Sequence, residues 1–407
     1  MQEHGTTQRA IRADLHIHSR FSQGTSKNLD LPTLEKWARI KGIDLLGTGD
    51  FTHPRWRQEL KTQLEEDSFG TLRSANGFPF ILQTEIAQVY TQDGKGRRVH
   101  NVLLAPDWES ADNITAFLKS KGRVDYDGRP IFRISCPELV DAMTCINEDI
   151  EIIPAHIWTP WYGILGSRSG FSSLAEAFDD TLNHVHAIET GISSDPEMNR
   201  RLSQLDNIRL VSNSDLHSHW PWRMGREATL FDLDDIEYSQ ILKAIRTGKR
   251  FAGTLEADPA YGKYHWDGHR SCEHRSSPQM TIKQKGICPV CNKTMTLGVD
   301  SRVEMLADRN TPLMQEYDSF RRLLPLSELI SIHTGRAKST KTVWNIYNQL
   351  VNRERSELDV LLTTSYDRLK RLIDGHLLAL IMKNRNGSIH IEPGYDGVYG
   401  TPQLNPS

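Results

Sequence analysis

No run of apolar residues in this 407-residue chain approaches the roughly 20 that a bilayer-spanning helix needs. A helical membrane protein is therefore excluded. No secretory signal is expected either, because Met1 to Gly5 is polar and no hydrophobic core follows; the sequence reads as cytoplasmic. Cysteine is scarce and odd in number, five in all. Cys136 and Cys145 fall on one predicted helix, where an unpaired cysteine behaves as a small buried hydrophobe. Cys272, Cys288 and Cys291 cluster, and without a secretory signal a cluster points to metal rather than disulfides. A strong excess of either charge is also missing, with 49 Lys and Arg against 52 Asp and Glu and a net charge of -3. The balance is uneven along the chain. Residues 1–260 hold 29 cations against 37 anions, and residues 261–407 hold 20 against 15. The front part would bind a polyanion poorly unless metal cations offset it, whereas the rear part suits a phosphate backbone. Ordinary surface variation is the competing reading.

What the chain does have is a repeated pairing of strand and metal-ligand residue, seven times over. Asp14-Leu15-His16-Ile17-His18 closes the first apolar run, and Ile43 to Leu46 leads to Asp50 and His53. Phe80 to Thr84 leads to Glu85, and His100 opens Val102-Leu103-Leu104. Ile150 to Ala155 leads to His156, Val185 to Ile188 to Glu189, and Ile208 to Val211 to Asp215 and His217. Helical patterns lie between several of them, with starts at Leu31-Pro32, Ser135-Cys136-Pro137-Glu138, Ser173-Leu174-Ala175-Glu176 and Asp195-Pro196. The last is expected to run through Leu205, and Tyr238 to Thr247 to stop at Gly248. Such alternation predicts a parallel α/β barrel of about 250 residues with its chemistry at one rim.

Six histidines with Asp50, Glu85 and Asp215 at that rim, and Asp14 and Glu189 close by, make a catalytic metal cluster the expected reading. Imidazole and carboxylate suit cations acting on phosphate, and a shared carboxylate can hold two ions. Residues 258–300 break the alternation and are rich in Gly, Pro, Ser, His and Cys. His269-x2-Cys272 and Cys288-x2-Cys291 have the spacing of a closed structural zinc site, with His265 and His274 as competing fourth ligands. From Val303 onward the pattern is helical, and residues 393–407 read as an irregular tail.

Aromatic residues follow the ligands: Trp56 after His53, Trp158, Trp161 and Tyr162 after His156, Trp220 and Trp222 after His217. They can stack on an extruded base or pack in the core. Arg168, Arg223 and Arg226 can clamp phosphate or make surface ion pairs. His333 to Lys341, with Arg336 and Lys338, is either a phosphate seat ahead of a helix or a solvated linker.

In order and over residues 11–257, His16-Ile17-His18, the Asp50/His53 pair, Glu85, His100, His156 and Asp215-Leu216-His217 resemble the polymerase and histidinol phosphatase (PHP) domain. The resemblance implies an α/β fold, a distorted seven-stranded (β/α) barrel, with up to three metals. By that resemblance His16, His18, Glu85 and Asp215 hold one ion and Glu85, His100 and His156 a second, which leaves Asp50, His53 and His217 for a third. The family usually has a further His or Asp where this chain has Gln23 and Gly24, and Phe51 and Thr52 separate Asp50 from His53. Which of Asp50 and His53 serves a third ion stays open.

Taken whole, the chain resembles the endonuclease Q family, through Tyr261-Gly262-Lys263-Tyr264-His265, Gly268-His269-Arg270-x-Cys272 and Gly394-Tyr395-Asp396-Gly397. That resemblance implies a PHP-type catalytic barrel (1–257), a zinc-binding module (258–302) and a helical DNA-binding region with its tail (303–407). It implies a DNA repair endonuclease cutting 5′ of hypoxanthine, uracil, xanthine and abasic sites by metal-activated water, leaving 3′-hydroxyl and 5′-phosphate ends. Asp215, Glu85, His16 and His18 are the expected catalytic residues. Zinc is expected in both sites, with Mn²⁺ or Mg²⁺ as alternatives in the barrel, and damaged DNA is the expected partner, with no membrane. A sliding clamp is a further candidate, although Gln403-Leu404 is too short for a clamp-binding peptide. The alternatives are a small-molecule phosphomonoesterase of the histidinol-phosphatase kind and a non-catalytic DNA-binding module with structural metals.

Overall fold

The computed structural model describes residues 9–403; Met1–Gly5 and Leu404, weighed above, lie outside them. The fold is mixed α/β around a central sheet. Strand β1 (Ile11–Asp14) pairs parallel with β2 (Leu45–Gly47), and β2 pairs parallel with β3 (Pro79–Gln92). The expected parallel order then breaks. β3 turns back antiparallel into β4 (Lys95–Ala105), and β4 pairs antiparallel with β5 (Glu151–Pro154). The reversal is made by Asp93 and Gly94, both left-handed at φ 52 and 72. A two-residue Asp-Gly turn of that kind matches the twist of the strands it joins. Glu85 and His100 therefore sit inside long strands rather than at strand ends.

β6 (Ala187–Glu189) pairs parallel with β7 (Arg209–Val211). Two backbone bonds carry the curl on: Ile157 N–H donates to the Glu189 carbonyl, and His18 N–H donates to that of Leu216. On its other side β1 pairs antiparallel with β8 (Ala228–Phe231), and β8 antiparallel with β9 (Phe251–Glu256).

Caps place the helices where the sequence put them. The Asp30 side chain accepts from Thr33 N–H at the head of Leu31–Lys41, and Gly42 ends that helix at φ 93. Ser135 accepts from Glu138 N–H ahead of Cys136–Ile146, and Ser173 from Glu176 N–H ahead of Leu174–Phe178. The helix expected through Leu205 stops at Asn199. Arg200, buried and paired with Asp318 at 2.6 Å, takes the carbonyls of Leu205 and Ile208 for its guanidinium, and the chain turns around it. Cys136 is buried as expected, but Cys145 is exposed.

The rear part also departs from a purely helical pattern. β10 (Phe320–Arg322) joins the central sheet parallel to β9. The expected irregular tail contributes a strand, Thr401–Gln403, which pairs antiparallel with His390–Glu392 just ahead of it. Helices Leu326–Thr334, Lys341–Leu350, Glu357–Leu362 and Gly375–Arg385 bury Leu329, Ile330, Val343, Leu361 and Ile381 in the same core as Leu34 and Trp56. No helix among the described residues is long and apolar enough to cross a membrane.

Candidate metal centre and nucleic-acid interface

Segments just past two strands bring His16, His18 and Asp215 to Glu85, which lies within β3, with one donor atom from each within 4.8 Å of the others; Glu85, His100 and His156 form a second such group. Glu85 stands between them. Its Oε2 lies 3.1 Å from His18 Nε2 and 3.5 Å from His16 Nε2, and its Oε1 lies 2.7 Å from His100 Nδ1 and 3.2 Å from His156 Nε2. Outer carboxylates fix the rings. His16 Nδ1 donates to Glu189 and His18 Nδ1 to Asp50, both at 3.0 Å. With a cation bound, each Nε2 would present its lone pair to it, as in carboxylate–histidine–metal triads. His16 Nε2, His18 Nε2 and Asp215 Oδ1 are buried and make no hydrogen bond among the described residues. Buried polar atoms are otherwise satisfied, so these converging acceptors fit a cation.

Charge agrees with that fit. Burial alone would raise the Glu85 carboxyl, but His100, Arg129 and His16 hold it well below the usual carboxylate range. Burial disfavours charge on His16 too, yet Glu189 and Glu85 outweigh it and raise its pKa well above the ordinary value. His18 is raised likewise, by Asp50 and Asp215 against burial. His100 goes the other way, pushed down to about 4 mainly by burial. Burial also pushes Asp14 up to about 6, where it accepts from Ser214 and Gly225 N–H and steadies the loop carrying Asp215.

Three residues at the centre, Asp50, His156 and Asp215, hold positive φ of 44, 31 and 47. Left-handed backbone at a non-glycine residue costs of order 1–3 kcal/mol and persists where neighbours over-determine it. Here Ser19 and Ser22 hold Asp50, Glu189 accepts the His156 N–H, and Arg226 donates to Ser214 O beside Asp215.

The structure does not assemble the third group. Asp50 turns inward to His18 and Ser19, whereas Phe51 and Thr52 carry the chain on so that His53 stands just ahead of helix Pro54–Gln63, with no side-chain capping bond, and stacks on Phe21 at 4.5 Å. His217 packs edge-on against His18 and bonds back to Asp215 O. In the cysteine segment His269 Nδ1 lies 3.0 Å from Cys272 Sγ and 3.3 Å from Cys291 Sγ, and Cys288 completes a group of four within 4.8 Å. His274 faces Gln284 instead, and His265 stands outside the group with its pKa pushed down to about 4 by burial.

Of the two groups, His100, His156 and Asp215 line a cavity of about 410 Å³ that Trp161, Tyr162, Arg129 and Arg226 also line. Trp161 is 41% exposed with Arg168 5.9 Å above its ring, and Tyr162 packs on His100 at 4.2 Å. Trp158 and Trp56 are not available for stacking. Both are fully buried, with their indole N–H groups bonded to Asn199 and to the carbonyls of Thr48 and Gly49. Lys338 lies 5.4 Å over Trp222 and pairs with Glu328, Arg223 reaches Tyr399, and Arg336 is exposed.

A family model described as the MJ0043 C-terminal domain matches residues 325–388. The chain is 32% identical over 254 residues to protein MJ0043 of Methanocaldococcus jannaschii, covering 61% of this chain and only 31% of that protein's length. It is 26% identical to protein YqxK of Bacillus subtilis over 96% of this chain and 98% of that one. Among solved structures, the lesion-specific endonuclease PfuEndoQ of Pyrococcus furiosus superposes with a TM-score of 0.87 at 30% identity, over 97% of this chain and 95% of that one. The chain belongs to the endonuclease Q family. By that membership it is an endonuclease. A second endonuclease Q structure, a complex with a 27-mer duplex substrate whose abasic lesion lies at the active site, matches with TM-score 0.87 and 30% identity over 97% of both chains.

Sequence reasoning missed two residues of this endonuclease Q site. Arg129 donates to Glu85 Oε2 at 3.3 Å, and Gly128 brings its backbone against Asp50. Asp127-Gly128-Arg129-Pro130 has the composition of a surface turn, and only long-range packing takes it to the centre. A Cβ at Gly128 would overlap Asp50 Oδ2 and Ser22 Oγ. Gly128→Ala is therefore expected to displace Asp50, release His18, and lower metal affinity or turnover by about 10- to 100-fold. Metal titration of the variant checks this, and wild-type affinity would overturn it.

Metal uptake is expected to release protons. His16 and His18 have raised pKa values and so hold protons near neutrality, and a cation must displace them. Affinity should then weaken as pH falls. Calorimetry in two buffers of different ionisation enthalpy reads the proton count, and zero release would refute the expectation.

Proposed function

We propose that the protein is a DNA repair endonuclease that hydrolyses the phosphodiester 5′ of hypoxanthine, uracil, xanthine or an abasic site, leaving 3′-hydroxyl and 5′-phosphate ends. The observation that carries the reading is the pair of donor groups sharing Glu85, three of whose members, His100, His156 and Asp215, line a cavity, in a chain that matches endonuclease Q almost end to end. The endonuclease Q complex with an abasic duplex supports damaged DNA as the partner.

His16, His18, Glu85 and Asp215 would hold one cation, and Glu85, His100 and His156 another. Bound there, zinc, manganese or magnesium would lower the pKa of a water and offset charge on the attacking and leaving oxygens. The chain's own residues do the positioning. Asp50 and Glu189 lock the imidazole tautomers, and Arg129, kept charged beside Glu85, stands ready for a phosphate oxygen. Trp161, Tyr162 and Arg168 at the cavity mouth suit an extruded nucleotide, by stacking and by phosphate contact. Trp222, Arg223, Arg336 and Lys338 extend that surface toward the C-terminal helices.

The finer architecture follows the same reading. Residues 1–257 are the catalytic barrel, its distorted seven-stranded ring running from β1 through β7. Residues 258–302 form a module held by zinc on His269, Cys272, Cys288 and Cys291, and residues 303–407 are the helical DNA-binding region.

End-labelled duplexes with one hypoxanthine, one uracil, one abasic site or no lesion test this in the presence of Mn²⁺, Mg²⁺ or Zn²⁺. One metal-dependent nick directly 5′ of the lesion is expected. No cleavage with any metal, together with phosphate release from small esters, would replace the reading with a phosphomonoesterase.

A further inference from the structure

Extruding a damaged nucleotide leaves the base opposite it without a partner and without full stacking. Outside the cavity, five rings gather from three separate segments. Trp37 comes from helix Leu31–Lys41, His219, Trp220 and Trp222 follow His217, and Trp344 comes from helix Lys341–Leu350. Trp220 is the hub. Its ring lies parallel to Trp222 at 5.2 Å with 5° between planes, 4.7 Å from His219, and 5.7 Å from both Trp37 and Trp344. The cluster is open to solvent at its hub, where Trp220 keeps 38% of its surface exposed.

Cations flank the rings. Lys36 Nζ lies 5.9 Å from the Trp37 ring and Lys338 Nζ 5.4 Å from that of Trp222. Aromatic faces for bases beside cations for phosphate are what unpaired nucleic acid needs. The cluster is also continuous with the candidate site. Trp222, Arg223 and Arg226 line a small second cavity, and Arg226 lines the main one as well.

We propose that Trp220, backed by Trp222, Trp37 and Trp344, is a stacking platform for the unpaired base opposite the lesion, separate from the cavity that receives the lesion. The proposal rests on the repair-nuclease reading. One lesion then occupies two aromatic sites, the damaged nucleotide at Trp161 and its widowed partner at Trp220.

The test uses the full-length protein and a duplex carrying 2-aminopurine opposite an abasic analogue, with an uncleavable linkage 5′ of the analogue. Wild type should quench the 2-aminopurine on binding. Trp220→Ala should leave it bright and raise Kd for this duplex by about tenfold, while Kd for undamaged duplex stays unchanged. Trp220→Phe, which keeps a ring, should fall between them. If Trp220→Ala folds poorly, Trp220→Phe together with Lys36→Ala decides the matter, the latter expected to lower the salt dependence by about one ion. Equal quenching and equal Kd across these proteins would overturn the platform while wild type still nicks the cleavable duplex. A wild type that nicks no lesion duplex would overturn the reading beneath it. A change in sedimentation without any change in fluorescence would assign the face to a second copy of the chain and overturn the platform.

Discussion

Glu85→Gln should all but abolish cleavage, by more than the roughly 10- to 100-fold that loss of an outer ligand partner produces. Glu85 is fully buried and its two oxygens face different groups, Oε2 toward His16 and His18, Oε1 toward His100 and His156. Glutamine has the same shape, so the fold should survive. Its amide carries only one oxygen, and whichever way it turns, one donor group meets an NH₂ where it needs a lone pair. At least one ion should then be lost. Arg129 would also lose its carboxylate partner, which makes the cavity more positive. Binding of uncleaved duplex should therefore hold or tighten while chemistry fails. Elemental analysis, single-turnover cleavage and duplex titration on one preparation separate these outcomes. A variant that keeps both ions and the wild-type rate would remove Glu85 from the centre.

The residue types and order of the centre were legible because metal chemistry restricts its ligands to a few side chains, and strands deliver them at regular intervals. His16, His18, Glu85, His100, His156 and Asp215 can all be named from the sequence. The antiparallel β3–β4 excursion was legible too, through Asp93-Gly94, but the regularity of the flanking units hid it. Roles among the ligand types were harder to see. Asp50 looks like any strand-end carboxylate, and the contacts of Ser19, Ser22 and Gly128 that turn it toward His18 come from packing. Tryptophans show the same limit. Trp158 and Trp161 stand three residues apart in one loop, yet one bonds Asn199 in the core and the other faces the cavity. A side chain of that size suits either fate, and the choice is made by distant chain. The strand Phe320–Arg322 left almost no signal, since three residues are too few to show alternation.

Lys41→Met should destabilise the protein by about 3–5 kcal/mol, the range for breaking a buried ion pair from one side. Lys41 is 1% exposed and Glu357 0%, with 2.7 Å between Nζ and Oε1. The pair joins helix Leu31–Lys41 to helix Glu357–Leu362, and each partner makes further bonds. Lys41 Nζ donates to Pro221 O, and Glu357 accepts from Tyr347 O–H and Leu326 N–H. Removing only the cation leaves a carboxylate buried with two neutral donors. Removing both partners, as in Lys41→Met with Glu357→Leu, should recover much of the loss, because desolvating the pair was expensive to begin with. The bond to Pro221 makes the effect directional. Pro221 lies between Trp220 and Trp222, so the single variant should loosen that loop and weaken lesion binding, with little change in metal content. Denaturant midpoints, metal analysis and duplex titration read the three effects independently. A single variant within about 1 kcal/mol of wild type would mean that water reaches the pair in solution and that other contacts, Arg12 with Asp359 among them, hold the C-terminal helices.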